Sequence, residues 1–465
     1  MQQASKLNWL TLQELSELVQ KRELSPVELC SHYLSRIQAL DGELHAFKLL
    51  AAESALASAK AAEEAIVRGN RRGALHGIPF AVKDCFDVKD LPTTMGSRAL
   101  ANNIASSDAG VVRRLREAGM ILLGKTHMVQ FAFGGVGVNN DDGTARNPWA
   151  AVPHVPGGSS SGSAVAVAAG LAPVALGTDT GGSVRIPSSL CGVTGLKTTV
   201  GSIDMSGVAP LSWTLDTIGP IARTAADAAL MYGAMHGGTP ITFNVSNDEL
   251  KGVRLAFAEK VFWDDADPEV VASVRGTEKV FNQLGALVSS IPFEWAEEAR
   301  RLNPDGIVAG AEAYTVNREL VENHFDELDP LVAQRLITNR DFSASDYLRV
   351  KNQWWPELRR KTYEALQNID ALLVPTTPIA ALPTAPIVAS VDEYNRVNRL
   401  YLRNTVIGNV LDLCAVSVPC GFTSKGLPVG LMIYGKPQSE VLVLRIARAF
   451  QQVTDFHKQH PALQS

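Results

Sequence analysis

This chain of 465 residues predicts an α/β fold built as one domain. Three observations carry that expectation. Short apolar runs bounded by Gly and Pro alternate with longer stretches whose apolar residues recur at helical spacing, and such alternation stacks helices on a sheet. Hydrophobic residues make up 46% and charged residues 20% of the chain, an ordinary balance for a large core. No internal repeat, low-complexity linker or clear seam divides it, so residues 1–65 are expected as a helical layer packed on a unit spanning 66–465.

The elements follow in order. Residues 24–42, LSPVELCSHYLSRIQALDG, carry apolar residues at helical spacing between a Ser25-Pro26 start and a Gly42 stop. Residues 50–68 form an alanine-rich second helix. GIPFAVKD, 77–84, is a short apolar strand between breakers. A helix over 108–118 and a buried strand over 121–123 come next, then a loop over 139–157 rich in Asn, Asp, Gly and Pro. Residues 163–169 read as a buried small-residue helix and 174–176 as a strand. Beyond about residue 240, KGVRLAFAE is a strand, and charged helices run through Leu366, including EVVASVRGTEKVFNQLGAL and WWPELRRKTYEAL. Strand-like runs return at ALLVPTTP, CAVSVPCG and GLPVGLMIYG. An amphipathic helix over 440–452 closes the pattern.

Composition excludes several function classes. Net charge is −5 with no basic block, which argues against nucleic acid. The longest apolar stretches, near 164–176, contain Gly and Pro and are too short to span a bilayer. MQQASKLNWLTLQEL lacks a charged region followed by an apolar core, so no signal peptide is expected. Five scattered cysteines, Cys30, Cys85, Cys191, Cys414 and Cys420, never form CxxC, which fits a reducing cytoplasm without disulfides. No HExxH or Cys/His cluster points to a metal, and no cofactor is expected.

Residues 157–199 hold two serines in glycine-rich turns. In GTDTGGSVR, Thr180, Gly181, Gly182 and Ser183 offer four successive backbone N–H groups, two with no side chain in the way. An attacked amide carbonyl becomes an oxyanion and needs such donors. Taken alone, the turn reads first as a tight bend before a helix. Ser159, in GGSSSGS, lies 24 positions earlier, enough for one helix and one strand to return the chain to the same edge. Alone it reads as a helix cap. Lys83 follows Ile78-Pro79-Phe80-Ala81-Val82; burial would lower its pKa and let a neutral amine accept a proton from serine. Alone it reads as a Lys–Asp pair with Asp84 or a snorkelling surface lysine. GSSSG, 158–162, fits G-x-S-x-G around Ser160, but a proline-bearing loop rather than a strand precedes it. His76 and His127 sit in no shared motif, and Cys191 reads as a packed small residue.

GxPxxVKD, then GGSSSGS, then GTDTGGSxRxPxxxCGxxGLK, in that order over about 77–197, resembles the signature of the amidase signature family. Weaker likenesses lie at GKT (124–126), DTIGPIART (216–224), VPTTP (374–378) and SVPCG (417–421), with a signature core over about 77–225. The resemblance implies a mixed central sheet covered by helices on both sides, and hydrolysis of a carboxylic amide to an acid plus ammonia or amine. It implies Ser183 as the acylated nucleophile, Ser159 as a proton bridge after a cis Gly158–Ser159 bond, and Lys83 as general base. Thr180, Gly181, Gly182 and Ser183 would form the oxyanion hole, and Asp179 and Arg185 a supporting ion pair. GKTHMVQFAFG, 124–134, resembles the stretch lining the acyl pocket, where usual members carry Asn and Glu in place of His127 and Gln130. Gln130, Phe131 and Ala132 are therefore expected against substrate, with Ser159 and Ile186. The signature usually ends GLKPT, whereas this chain has Lys197-Thr198-Thr199. The glutaminase components of tRNA-dependent amidotransferases carry Gln three residues after the nucleophile, where this chain has Ile186, which offers no amide hydrogen bonds. A free-standing amidase on a small-molecule amide is thus expected over a glutaminase component feeding ammonia to a partner. A scaffold without catalysis is disfavoured, since Lys83, Ser159 and Ser183 are all present. Homodimers are common in the family. Aliphatic, aryl and carbamoyl- or biuret-type amides all stay open, with residues 300–420 expected to shape the choice.

Overall fold

The computed structural model describes residues 7–237, 241, 250–301 and 306–463. Its frame is one eleven-stranded mixed sheet. The strands are β1 (Phe47–Leu50), β2 (Pro79–Lys83), β3 (Ile121–Thr126), β4 (Val174–Asp179), β5 (Thr194–Lys197), β6 (Thr217–Ala222), β7 (Arg254–Ala258), β8 (Leu287–Ile291), β9 (Ala371–Pro375), β10 (Cys414–Phe422) and β11 (Pro428–Gly435). Across the sheet they run β1-β3-β2-β4-β6-β5-β10-β11-β9-β7-β8. Strands β2, β3, β4, β5 and β6 are buried along their whole length. Helices cover both faces, so these strands are continuously apolar or carry small residues instead of alternating.

Two parallel pairings set the site. β2 pairs with β3 and with β4, Val82 standing opposite Lys125 and Leu176. The C-terminal ends of β2 and β4 therefore meet at one sheet edge, bringing Lys83 beside the turn that follows Asp179. The helix Ser161–Ala168, SGSAVAVA, is wholly buried. Its small residues let backbones close up: a Cβ on Gly162 would sit 2.6 Å from the His127 nitrogen.

The N-terminal layer departs from expectation. The first helix of the signalled pair runs Pro26–Leu44, past Gly42, with Ser25 accepting from the Val27 and Glu28 N–H groups in a capping box. It ends at His45, in the left-handed region at φ 49°, where the Asp41 carboxylate accepts from the Ala46 and Phe47 N–H groups. The chain then enters β1, antiparallel to β3. Residues 1–65 thus contribute an edge strand to the common sheet as well as helices; their first six residues lie outside the described set. The alanine-rich helix is Ala52–Val67, and Glu440–Gln452 matches its expected bounds.

A helix over Val391–Val410 with mixed polar and apolar residues crosses the edge of the sheet that carries the turns. Tyr394, Val397 and Tyr401 from it pack with Val136, Val138, Ile186 and Leu190 into a separate apolar cluster. This cluster closes over the turn that carries Ser183.

Candidate active site

Lys83 is the last residue of β2 and is fully buried. Its Nζ donates to Ser159 Oγ at 2.7 Å and to Thr178 Oγ1 at 2.7 Å. No carboxylate lies within salt-bridge distance of it among the described residues. Its sequence neighbour Asp84 instead meets Lys125 Nζ at 2.8 Å, both side chains buried. Asp84 is also held by the Thr94 N–H at 3.2 Å and by the Thr94 hydroxyl. Successive strand residues point to opposite faces, so Lys83 and Asp84 diverge. Burial lowers the Lys83 pKa, against smaller opposing effects of Cys85, Asp216 and Asp179.

Ser159 follows a cis Gly158–Ser159 bond. The Val129 N–H donates to the Ser159 carbonyl at 3.1 Å, and the Ser160 N–H donates to the Ser183 carbonyl at 3.2 Å. The two serine turns are thereby stitched to each other and to residues 129–132. Gly177 makes room for this: a Cβ there would meet Ser160 Oγ at 2.6 Å. Ser160, the centre of GSSSG, is buried and donates to the Thr178 carbonyl at 3.3 Å.

Ser183 is 4% exposed, at the head of a turn organised by Asp179. Asp179 Oδ1 accepts from the Gly182 N–H at 2.8 Å, and Oδ2 accepts from the Val184 N–H at 3.2 Å. Arg185 Nη2 and Nε meet the same carboxylate at 2.9 Å each, and Asn409 Nδ2 adds a donor at 3.0 Å. Burial alone would raise the Asp179 carboxyl; the Arg185 guanidinium outweighs it and holds the group well below the usual carboxylate range. Of the four N–H groups expected as oxyanion donors, that of Gly182 is turned toward Asp179 and engaged within the protein. Gly182 has φ +133°, and a Cβ there would lie 2.6 Å from Thr405 Cβ. Gly181 faces Leu402 and Val406 at ordinary contact distance.

Thr180 contacts a second buried carboxylate, its Oγ1 donating to Asp216 Oδ1 at 2.5 Å. The Leu211 and Ser212 N–H groups donate to Asp216 Oδ2 at 2.8 and 3.0 Å. Burial pushes the Asp216 carboxyl up to about 6, the hydrogen bonds opposing it. Asp216 opens the DTIGPIART segment of the signature likeness, yet nothing in that segment's sequence assigns it a role.

The expected pocket residues divide. Ile186 is fully buried, its Cδ1 near the Cβ positions of both Gly135 and Gly182. Phe131 and Ala132 occupy consecutive left-handed conformations, φ 52° and 58°, at the end of a turn against Met95. Gln130 does not present its amide to a pocket. Its Nε2 donates to Ser97 Oγ at 3.0 Å and Asp141 Oδ2 at 2.9 Å, and its Oε1 accepts from the Asp329 N–H at 3.0 Å. Both N–H groups are spent bracing the turn. Leu402, absent from the expected set, stands over Gly135 and Gly181. Nothing in the alternation of its helix sequence marks that position. His127 is buried, and burial pushes its ring down to about 4, so it is neutral near pH 7.

Residues 28–444 match the Amidase family. The chain belongs to the amidase family. Its curated relatives span nearly its whole length. It is similar to 2-amino-5-chloromuconic acid deaminase of Comamonas testosteroni, at 36% identity over 94% of this chain and 95% of that protein. It is also similar to the glutamyl-tRNA(Gln) amidotransferase A component of Moorella thermoacetica, at 35% identity over 98% of this chain and 99% of that one. Among solved structures, native peptide amidase from Stenotrophomonas maltophilia superposes with a TM-score of 0.82 at 29% identity, covering 98% of this chain and 99% of that one. The α/β amidase architecture expected from the signature is the one this chain has. Among the described residues, no helix is long and apolar enough to cross a membrane, and no three or more His, Cys, Asp or Glu side chains converge as metal ligands. All five cysteines are free and buried.

Proposed function

We propose that this amidase hydrolyses a linear carboxylic amide through an ester on Ser183, with Ser159 as proton bridge and Lys83 as general base. The observation that supports the reading best is the Lys83–Ser159 hydrogen bond of 2.7 Å, made by a buried lysine with no carboxylate paired to it. Burial lowers the pKa of such a lysine, and its neutral amine can accept the proton that a serine must lose to become a nucleophile.

The steps follow from that polarity. Ser183 Oγ attacks the amide carbon; its proton passes to Ser159 Oγ as the Ser159 proton passes to Lys83 Nζ. The carbonyl oxygen becomes an oxyanion facing the Gly181 and Ser183 N–H groups, fixed beforehand by the Asp179 clamp. Lys83 returns the proton through Ser159 to the leaving nitrogen, the C–N bond breaks, and ammonia or amine departs. Water then attacks the ester, losing its proton along the same route, and the tetrahedral species expels Ser183 to release the acid. The balance is amide plus water to acid plus amine, with no cofactor called upon. Leu402, Val406 and Ile186 would give the acyl pocket an apolar lining.

A second reading has support of its own. Several relatives at 34–37% identity are amidotransferase A components, which points to a glutaminase that delivers ammonia to a partner. Ile186 weighs against it: it is apolar, wholly buried and packed beside Gly182, where the family resemblance implies Gln in such components. Ammonia release by the chain alone, across simple amides, glutamine and biuret-type compounds, separates the two. Release without a partner from non-glutamine amides supports the free-standing amidase. Release from glutamine alone, and only with partner proteins added, supports the other. Ser183→Ala is expected to abolish release, and Lys83→Ala to lower it by about 10³-fold or more with the fold intact, as judged by circular dichroism.

A further inference from the structure

The proton that Lys83 accepts creates an ammonium in a dry site, and such a charge needs a counter-charge. The buried carboxylates around it differ in what they hold. Asp84 is paired with Lys125, and Asp179 with Arg185. Asp216 has no cation partner within 4 Å among the described residues; it is held by one hydroxyl and two backbone N–H groups. Cys85, beside Thr178, keeps its proton because burial pushes the thiol up. Thr178, which accepts from Lys83, and Thr180, which donates to Asp216, are two residues apart at the end of β4, so the lysine and the carboxylate are each one hydrogen bond from that strand end.

We propose that Asp216 is the counter-charge that stabilises the Lys83 ammonium formed during acylation; the inference rests on Lys83 acting as the base. Asp216 acts through Lys83 and touches no substrate. Its far side is anchored: Ser212, whose N–H it binds, donates its hydroxyl to the buried Glu312. Glu312 also accepts from the Thr214 N–H at 3.0 Å and from the Tyr347 hydroxyl at 2.5 Å, and Lys351 lies 3.5 Å away. Glu312 and Lys351 lie 3.5 Å apart behind the 211–216 loop, and their charges offset each other. Among the described residues no cation pairs with Asp216, which leaves Lys83 to answer it.

The test is the rate at which a neutral fluorophosphonate labels Ser183, followed from pH 5 to 9 in the full chain. It needs no knowledge of the natural amide. Removing the negative charge with Asp216→Asn lowers the Lys83 pKa, so the acid limb of the profile moves down by about one to two pH units. The plateau rate falls about 10- to 100-fold, because the ammonium is no longer compensated. A folded Asp216→Asn protein whose acid limb stays at the wild-type position overturns the proposal, whatever its rate. Should that variant fail to fold, carbon-13 NMR of the aspartate carboxyls in Lys83→Met decides: losing the ammonium raises the Asp216 pKa by about one to two units relative to the parent, and an unchanged Asp216 overturns the proposal. Lys83→Ala labelled at the wild-type rate would instead sink the parent reading.

Discussion

Three buried lysines show how one residue type is put to different uses. Lys125 is engaged by Asp84 at 2.8 Å. Lys197 donates to the Thr198 and Leu413 carbonyls at 3.0 and 3.1 Å, and burial pulls it down to about 8. Among the described residues Lys83 meets only hydroxyls, which is what the proposed base requires. Sequence alone offers Asp84 as a partner for Lys83, because adjacency in the chain is visible and the alternation of strand faces is easily overlooked. Lys125→Met is predicted to destabilise the fold by about 3–5 kcal/mol in urea titration, since it leaves the Asp84 carboxylate buried without a cation. The Asp179–Arg185 pair behaves alike, and Asp179→Ala should cost a similar amount. Gly182→Ala is expected to slow Ser183 labelling by about 100-fold or more, because φ +133° and the Thr405 side chain both reject a Cβ and the proposed oxyanion donors on either side would shift with it.

At the scale of elements, the site is a meeting of strand ends roofed by one helix. The turns at 157–160 and 180–184 were legible because glycine and serine clusters leave few other interpretations. The roof, Val391–Val410, was not, since its polar residues face inward to serve backbone groups. Thr405 Oγ1 donates to the Gly181 carbonyl at 2.6 Å, Asn398 accepts from the Gly135 N–H at 2.7 Å, and Asn409 reaches Asp179. Polar side chains that satisfy buried loops erase the amphipathic pattern by which a helix is recognised. Gln130 shows the converse: its position was legible, but its obligations to Ser97, Asp141 and Asp329 come from three separate loops. Leu402→Ala, at the half-buried position over Gly181, is predicted to raise kcat/KM for amides with bulkier acyl groups by about tenfold relative to small ones, with the urea midpoint little changed. An unchanged preference would place the acyl pocket elsewhere.

Across the whole molecule, a single sheet joins strands from Phe47 to Gly435, so distant segments are stabilised together. The α/β class was readable from alternation, whereas strand order was not: β10 and β11 enter between β5 and β9 from far downstream of β5 in the chain. Buried groups also give the fold a pH dependence. His127 titrates near 4 in the fold and near 6.5 when unfolded. The unfolded chain therefore binds more protons between those values, and this histidine makes stability fall as pH drops from about 6.5 to 4. The raised carboxyls of Asp216 and Asp227, each at about 6, act in the opposite sense over about pH 4 to 6. His127→Asn should thus lose less stability than the parent on acidification from pH 7 to 4.5, the difference being about 1–3 kcal/mol by urea titration.

The central claim, a Ser183 nucleophile driven by Lys83 through Ser159, is tested most directly by mass spectrometry of the chain after a fluorophosphonate probe, in parent, Lys83→Ala and Ser159→Ala forms. The account predicts one adduct, on Ser183, with labelling slowed by orders of magnitude in both variants while each remains folded. An adduct on another residue, or variants labelled as fast as the parent, would contradict it.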